Sequence, residues 1–275
     1  MNKEIRHELV TITPDMAREF LSHNTDNRNI RKAAIRTYAD DMENGRWLLT
    51  TDAIGFDKNG VLLNGQHRLL ACIEAGVPFQ SFVDYGLDTA SFNAIDNGVS
   101  RTASDGMRDV ANASTIASCV KAAYAYRTNR PSLSDRTNKR ISLSNVRVNE
   151  IYKADADGYD LAVTIARSFY DKKEYVRAIV PGQLSGMIYY LINDKGHDRL
   201  EVESFFRQIL SFKTAEDATL ELLRIRLLNE SASPIKMTPA LKRNLIAKAW
   251  NAFLDGRTLR VLKWNPNNEA QIKFA

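Results

Sequence analysis

Residues 60–78 read GVLLNGQHRLLACIEAGVP. Val61 to Leu63 is a short apolar run, and Leu69, Leu70, Cys72 and Ile73 recur at helical spacing until Gly76 and Pro78 stop the pattern. The stretch predicts a strand, a tight turn and a helix. Asn64, Gly65, Gln66, His67 and Arg68 form the turn and open the helix. Glycine serves the turn, because it adopts left-handed backbone at little cost and lets a ligand come close. Asn64 reads as the N-cap or the left-handed residue before it. Gln66, His67 and Arg68 answer no evident folding need. A helix start exposes unpaired N–H groups and a partial positive charge, which suits phosphate or carboxylate. Arg68 in the first turn opposes the helix dipole, and an anion there would relieve the conflict through a bidentate contact. His67 can donate a hydrogen bond and gain charge near neutral pH. A solvated helix start with Arg68 in a surface ion pair stands beside this reading on spacing alone.

Outward from this stretch, the first hundred residues alternate strand and helix signals. HELVTI (residues 7–12) reads as a strand, and Thr13-Pro14 opens a helix as N-cap and first helical position. Residues 30–45 carry Ile30, Ala33, Ala34, Ile35, Tyr38 and Met42 at helical spacing and stop at Gly45. RWLLTTDAIGFD and GVLLNG read as two strands joined at Lys58-Asn59-Gly60, a hairpin signal. FQSFVDYG is a further strand, and Asp88 caps a short helix expected to stop at Gly98. After residue 106 strand signals nearly vanish and six helical patterns follow. RVLKWNPNNEAQIKFA at the end reads as a short strand or an extended tail. The expected fold class is α+β, with a small α/β domain over 1–105 and a helical domain over 106–275.

Composition limits the function classes. The chain has 275 residues, 44% hydrophobic and 26% charged, with a formal net charge of +5. That suits one or two soluble domains with a mild lean toward anionic partners. No apolar run nears the ~18 residues of a membrane span, and the N-terminus lacks a secretory signal, so a cytoplasmic location is expected. Cys72 and Cys119 lie in apolar helical patterns without metal-ligand spacing and read as reduced core residues. No zinc, Ser-His-Asp or dinucleotide-binding pattern is present, and no metal site is expected of the protein itself.

Two further segments bear on function. Residues 121–147 hold Lys121, Arg127, Arg130, Arg136, Lys139, Arg140 and Arg147 against Asp135 alone, interleaved with Ser, Thr and Asn. This basic loop has the footprint of phosphate-backbone contact, with a solvated loop as the plain reading. Asp96, Asn97 and Gly98 make a turn, followed by Arg101 and by Thr102 and Asp105 as a capping pair.

LLNGQHRLLACIEAG resembles the phosphate-binding motif of the ParB/sulfiredoxin-like superfamily. Gly65, His67 and Arg68 match its sulfiredoxin form; Gly65, Arg68 and Ala71 match its ParB form. NRNIRKAAIRTYADDMENGRW is similar to the ParB segment that leads through a helix and a glycine into a strand, and the order of elements agrees over roughly residues 5–105. The likeness extends to phage and bacterial proteins with an Asn/Asp-Gly-Gln-His-Arg motif, whose chains share the pattern here written AIDNGVSRTASD. The resemblance implies a bacterial or phage-infected cell and a nucleoside triphosphate, ATP or CTP, with Mg²⁺. Asn64, Gly65, Gln66, His67, Arg68, Arg28 and Arg101 would bind the nucleotide. Asp52, in the strand pair beside the motif, could bind Mg²⁺ on the phosphates or act as a base, with a strand-edge aspartate in water as the plain reading. Asp52, His67 and Asp96 are the expected catalytic residues of an NTPase, nuclease or phosphotransferase. Arg127, Arg130, Arg136, Lys139 and Arg140 would contact DNA. Gln66 stands where sulfiredoxins carry cysteine, which removes sulfinic-acid reduction. A non-enzymatic DNA-binding regulator, or a phage enzyme that modifies bases or nucleotides, are the alternatives.

Overall fold

A computed structural model describes residues 5–25, 27, 29–93, 102–107, 109–128, 143–234 and 236–275. It is a mixed α+β protein: a four-stranded sheet and ten α-helices among the described residues. Two compact units divide the chain, Met1–Thr102 with Thr137–Arg147, and Ala103–Arg136 with Val148–Ala275.

The first unit contains β1 (Arg6–Ile12), α1 (Pro14–Ser22), α2 (Lys32–Glu43), β2 (Ile54–Asp57), β3 (Leu62–Asn64), α3 (Gln66–Ala75) and β4 (Phe79–Leu87). The strands lie in the order β1-β4-β2-β3. β1 runs antiparallel to β4 from Arg6↔Tyr85 to Ile12↔Phe79; β2 runs parallel to β4 and antiparallel to β3. Local chemistry sets the element ends. Thr13 Oγ1 accepts from Met16 N at 3.2 Å and caps α1. Gly76, left-handed at φ +68°, closes α3. The β2–β3 turn is built on Asp57, whose Oδ1 accepts from the N–H groups of Asn59 and Val61 at 2.8 Å each, with Gly60 at φ +85°. Thr89 Oγ1 donates to Asp57 Oδ2 at 2.7 Å. Burial alone would raise this carboxyl's pKa, but the hydrogen bonds from Thr89, Val61 and Asn59 outweigh it and hold it below the ordinary aspartate value of 3.8.

The core of this unit joins Ile12, Ile54, Phe56, Leu62, Leu69 and Val83 with Ile35 and Met42 of α2. Two sequence expectations shift here. The strand expected from Arg46 onward begins only at Ile54. Trp47 is anchored by Nε1 donating to Gln80 O at 3.0 Å, while Leu48 and Leu49 stay exposed. An apolar run without a ladder partner gains nothing from strand geometry. The short helix after Asp88 is a 3₁₀ turn, Thr89–Asn93; its expected stop at Gly98 lies outside the described residues.

The second unit is helical: α4 (Ala113–Arg127), α5 (Asn145–Ala154, which begins in the first unit), α6 (Ala156–Tyr170), α7 (Pro181–Tyr189), α8 (Arg199–Leu210), α9 (Ala218–Ala232) and α10 (Pro239–Leu254). Acidic and hydroxyl N-caps start α6, α8, α9 and α10 at Asp155, Asp198, Asp217 and Thr238. At Gly182 and Gly186, α4 and α7 pack without room for a side chain. A Cβ at Gly182 would collide with Ser118, and one at Gly186 would collide with the Cβ of Ala122 and lie 3.0 Å from Cys119 O. α7 continues into a π-turn, Tyr190–Asp194. After α10 the chain is an extended tail that side chains sew to α9 and α10: Arg226 to Leu262 O, Lys248 to Lys263 O, and Asn251 to Lys273 O and Ala275 N, at 2.9–3.0 Å. Phe274, 2% exposed, seats its end against Tyr126 and Tyr190. No helix is long and apolar enough to cross a membrane among the described residues.

Candidate nucleotide site at the start of α3

Gly65 sits at φ +107° and ψ −1°, where only glycine is relaxed. A Cβ there would run into Ile54 Cδ1, so both the turn and the core of β2 require the glycine. From it α3 starts at once: Arg68 N and Leu69 N both bond Gly65 O, at 2.9 and 3.0 Å. Glycine provides no side chain to cap the first turn, and no side-chain cap is made.

The structure brings Asn64, Gly65, Gln66, His67, Arg68 and Asp52 together. Asn64 Nδ2 donates to Asp52 Oδ1 at 3.1 Å and to Ala53 O at 3.0 Å. Arg68, 7% exposed, donates from Nη1 to Asp52 O and from Nη2 to Ala53 O, the latter at 2.8 Å; Nη2 lies 3.5 Å from Asp52 Oδ2. His67 Nε2 accepts from Arg31 N at 2.9 Å, just ahead of α2. Two side chains that spacing marked as surplus to folding are therefore employed in it. Arg68 fastens the segment before β2, and His67 fastens the entrance to α2. The conflict between Arg68 and the helix dipole is met within the protein, by two carbonyls and the Asp52 carboxylate.

Asp52 is the open side of this group, with its side chain 64% exposed. Gln66 is the closed side. It is 5% exposed, and its Oε1 is buried without a hydrogen-bond partner. An orphaned amide oxygen costs about 1–3 kcal/mol, which folding leaves unrecovered. Asn27 Nδ2 donates to Leu62 O at 3.3 Å and ties the preceding loop to β3. Below the site, α2 is locked by Arg46, whose Nε donates to the buried Asp41 carboxylate at 3.0 Å while Nη2 reaches Asp40; Ser144 Oγ adds a bond to Asp41 at 2.9 Å. Spacing gave no sign of these partners, because Arg31 N, Asp52 O and Ala53 O are backbone groups and Ser144 is about a hundred residues away.

Eight expected site residues remain. Arg28, Asp96, Arg101, Arg130, Arg136, Lys139 and Arg140 lie outside the described residues. Arg127 belongs to the second unit and is held in a two-bond pair with Asp194, Nε–Oδ2 3.1 Å and Nη2–Oδ1 2.6 Å, which raises its pKa further. No cluster of three or more His, Cys, Asp or Glu that could hold a metal occurs among the described residues. Burial pushes the Cys72 thiol up to about 11, the behaviour of an inert core thiol. No family model, no curated protein and no solved structure matches this chain.

Proposed function

We propose that the first unit is a nucleotide-binding domain of ParB/sulfiredoxin-like type, and that the protein acts on or with nucleic acid. The observation that carries this reading is Gln66. An uncapped first turn supplies donors for phosphate oxygens, and beside it an amide oxygen has no donor of its own. A bare anion answers only the first of these. A nucleotide answers both, because its sugar hydroxyls and base amino groups can donate once Gln66 turns toward them. Asp52, exposed and adjacent, is the group that would take a Mg²⁺ ion carried on the phosphates.

The engagement of His67 and Arg68 favours binding over turnover. The Nε2 lone pair of His67 is occupied by Arg31 N–H, so that nitrogen is not available as a base. Hydrolysis or phosphoryl transfer would fall to Asp52, released from Arg68 by the incoming phosphates. Action on DNA rests on the basic 121–147 segment and the net charge of +5.

Isothermal calorimetry with ATP, CTP and GTP in Mg²⁺ tests the reading. One nucleotide binds, and Gln66→Glu, which sets a negative charge against the phosphates, weakens it about tenfold or more. No heat from any nucleotide at millimolar concentration, or equal affinity in Gln66→Glu, refutes it.

A further inference from the structure

The second unit contains a guanidinium that folding does not explain. Arg243 on α10 is 7% exposed, and no carboxylate faces it among the described residues. Its guanidinium lies over the Tyr126 ring, 4.9 Å from the centroid. Its polar partner is neutral: with the amide turned to satisfy both groups, Gln271 Oε1 accepts from Nη1 and Nη2, at 2.7 Å from the latter. A buried charge without a counter-ion is costly.

Arg243 and Tyr126 line two neighbouring cavities. The larger, about 550 Å³, lies between α4, α7 and the start of α10. Its lining is mainly apolar, with Ser118, Gln183 and Lys121 as polar points. The smaller, about 190 Å³, is lined by Arg127, Lys195, Lys273 and Tyr190 besides the shared pair. Asp194 neutralises Arg127. Lys195, Lys273 and Arg243 remain, three cations around one small polar space. The π-turn after α7 carries Tyr190 and leads into Lys195, and such turns recur at functional sites. The volume of the larger cavity falls within the range of small-molecule sites.

We propose that these cavities bind a phosphorylated small molecule of mononucleotide size, with its phosphate on Arg243, Lys195 and Lys273 and its body between α4, α7 and α10. Three cations exceed the need of a single carboxylate and match a phosphomonoester dianion, which the planar guanidinium can grip with two bonds. Hydroxyl and amide groups in the larger cavity suit a body with a few polar atoms. This site lies wholly in the helical unit and does not rest on the reading of α3.

The probes are AMP, inorganic phosphate, adenosine and decanoate, titrated into the full chain by calorimetry with thermal shift alongside. AMP binds best, phosphate more weakly, adenosine and decanoate least. Arg243→Met, which keeps an apolar stem of similar length, lowers AMP affinity about tenfold or more. Gln66→Glu leaves the AMP binding lost in Arg243→Met untouched, which separates this site from the one at α3. Should Arg243→Met not fold, the pair Lys195→Glu and Lys273→Glu carries the test and abolishes AMP binding. The proposal is overturned if no AMP binds, if Arg243→Met or the double glutamate variant binds AMP like wild type, if only Gln66→Glu abolishes binding, or if adenosine or decanoate binds as well as AMP.

Discussion

Replacing Gly65 with alanine probes whether the motif glycine is there for the fold. At φ +107° an L-residue is strained by roughly 1–3 kcal/mol. The added Cβ would also overlap Ile54 Cδ1, a fully buried atom of β2, and overpacking of this kind costs about 1–3 kcal/mol. Together the substitution should destabilise the first unit by about 4 kcal/mol, a large part of the roughly 5–15 kcal/mol typical of a domain. The two terms can be separated. Ile54→Val removes Cδ1 and leaves Cγ2, which would sit 3.3 Å from the new Cβ. Gly65→Ala should therefore cost about 1–2 kcal/mol less in the Ile54→Val background than in the wild type, beyond the expected additivity error. Urea unfolding combined with hydrogen exchange of the peptide covering β3 and α3 reads the loss in the first unit without mixing in the second. A cost below about 1 kcal/mol, or an identical cost in both backgrounds, refutes the reasoning and returns Gly65 to a purely ligand-driven role.

Arg46→Ala leaves the buried Asp41 carboxylate without its ion partner and should cost about 3–5 kcal/mol, read as a drop in urea midpoint; a loss under about 1 kcal/mol would show Ser144 alone suffices. Asp57 has a lowered pKa, so its contribution is fully present above the unfolded value near 3.8 and fades as pH falls through the still lower folded value. Asp57→Asn should flatten the stability profile in that acid window, and an unchanged profile would contradict the turn's dependence on the charge. Phe274→Ala should cost about 3–5 kcal/mol and free the tail, detected as faster exchange over residues 258–275; unchanged exchange there would mean the side-chain sutures hold without the aromatic anchor.

Much of the secondary structure was legible because its signals are local. Thr13, ahead of Pro14, caps α1 through a bond to the residue three positions on. Asn59-Gly60 makes the β2–β3 turn, and Gly76 ends α3. Of the candidate site, the sequence marked the cluster but not its employment. Gln66, His67 and Arg68 are three consecutive polar residues at one helix start, yet His67 and Arg68 are bound to backbone atoms of distant segments while the Gln66 oxygen is left without a donor. Backbone partners carry no residue code, so spacing could not reveal them.

The sequence by itself determined that helices follow Thr13 and Gly65, that Gly76 ends one of them and that Asn59-Gly60 turns the chain, since capping, glycine conformation and hydrophobic period act over a few residues. Only the tertiary structure decided that β4 lies between β1 and β2, that Ser144 bonds Asp41, and that Arg243 meets Tyr126 and shares a cavity with Lys195. Those pairings join positions tens of residues apart. They are chosen by which apolar faces bury one another and by where the remaining charges can find a partner, and both are properties of the packed chain.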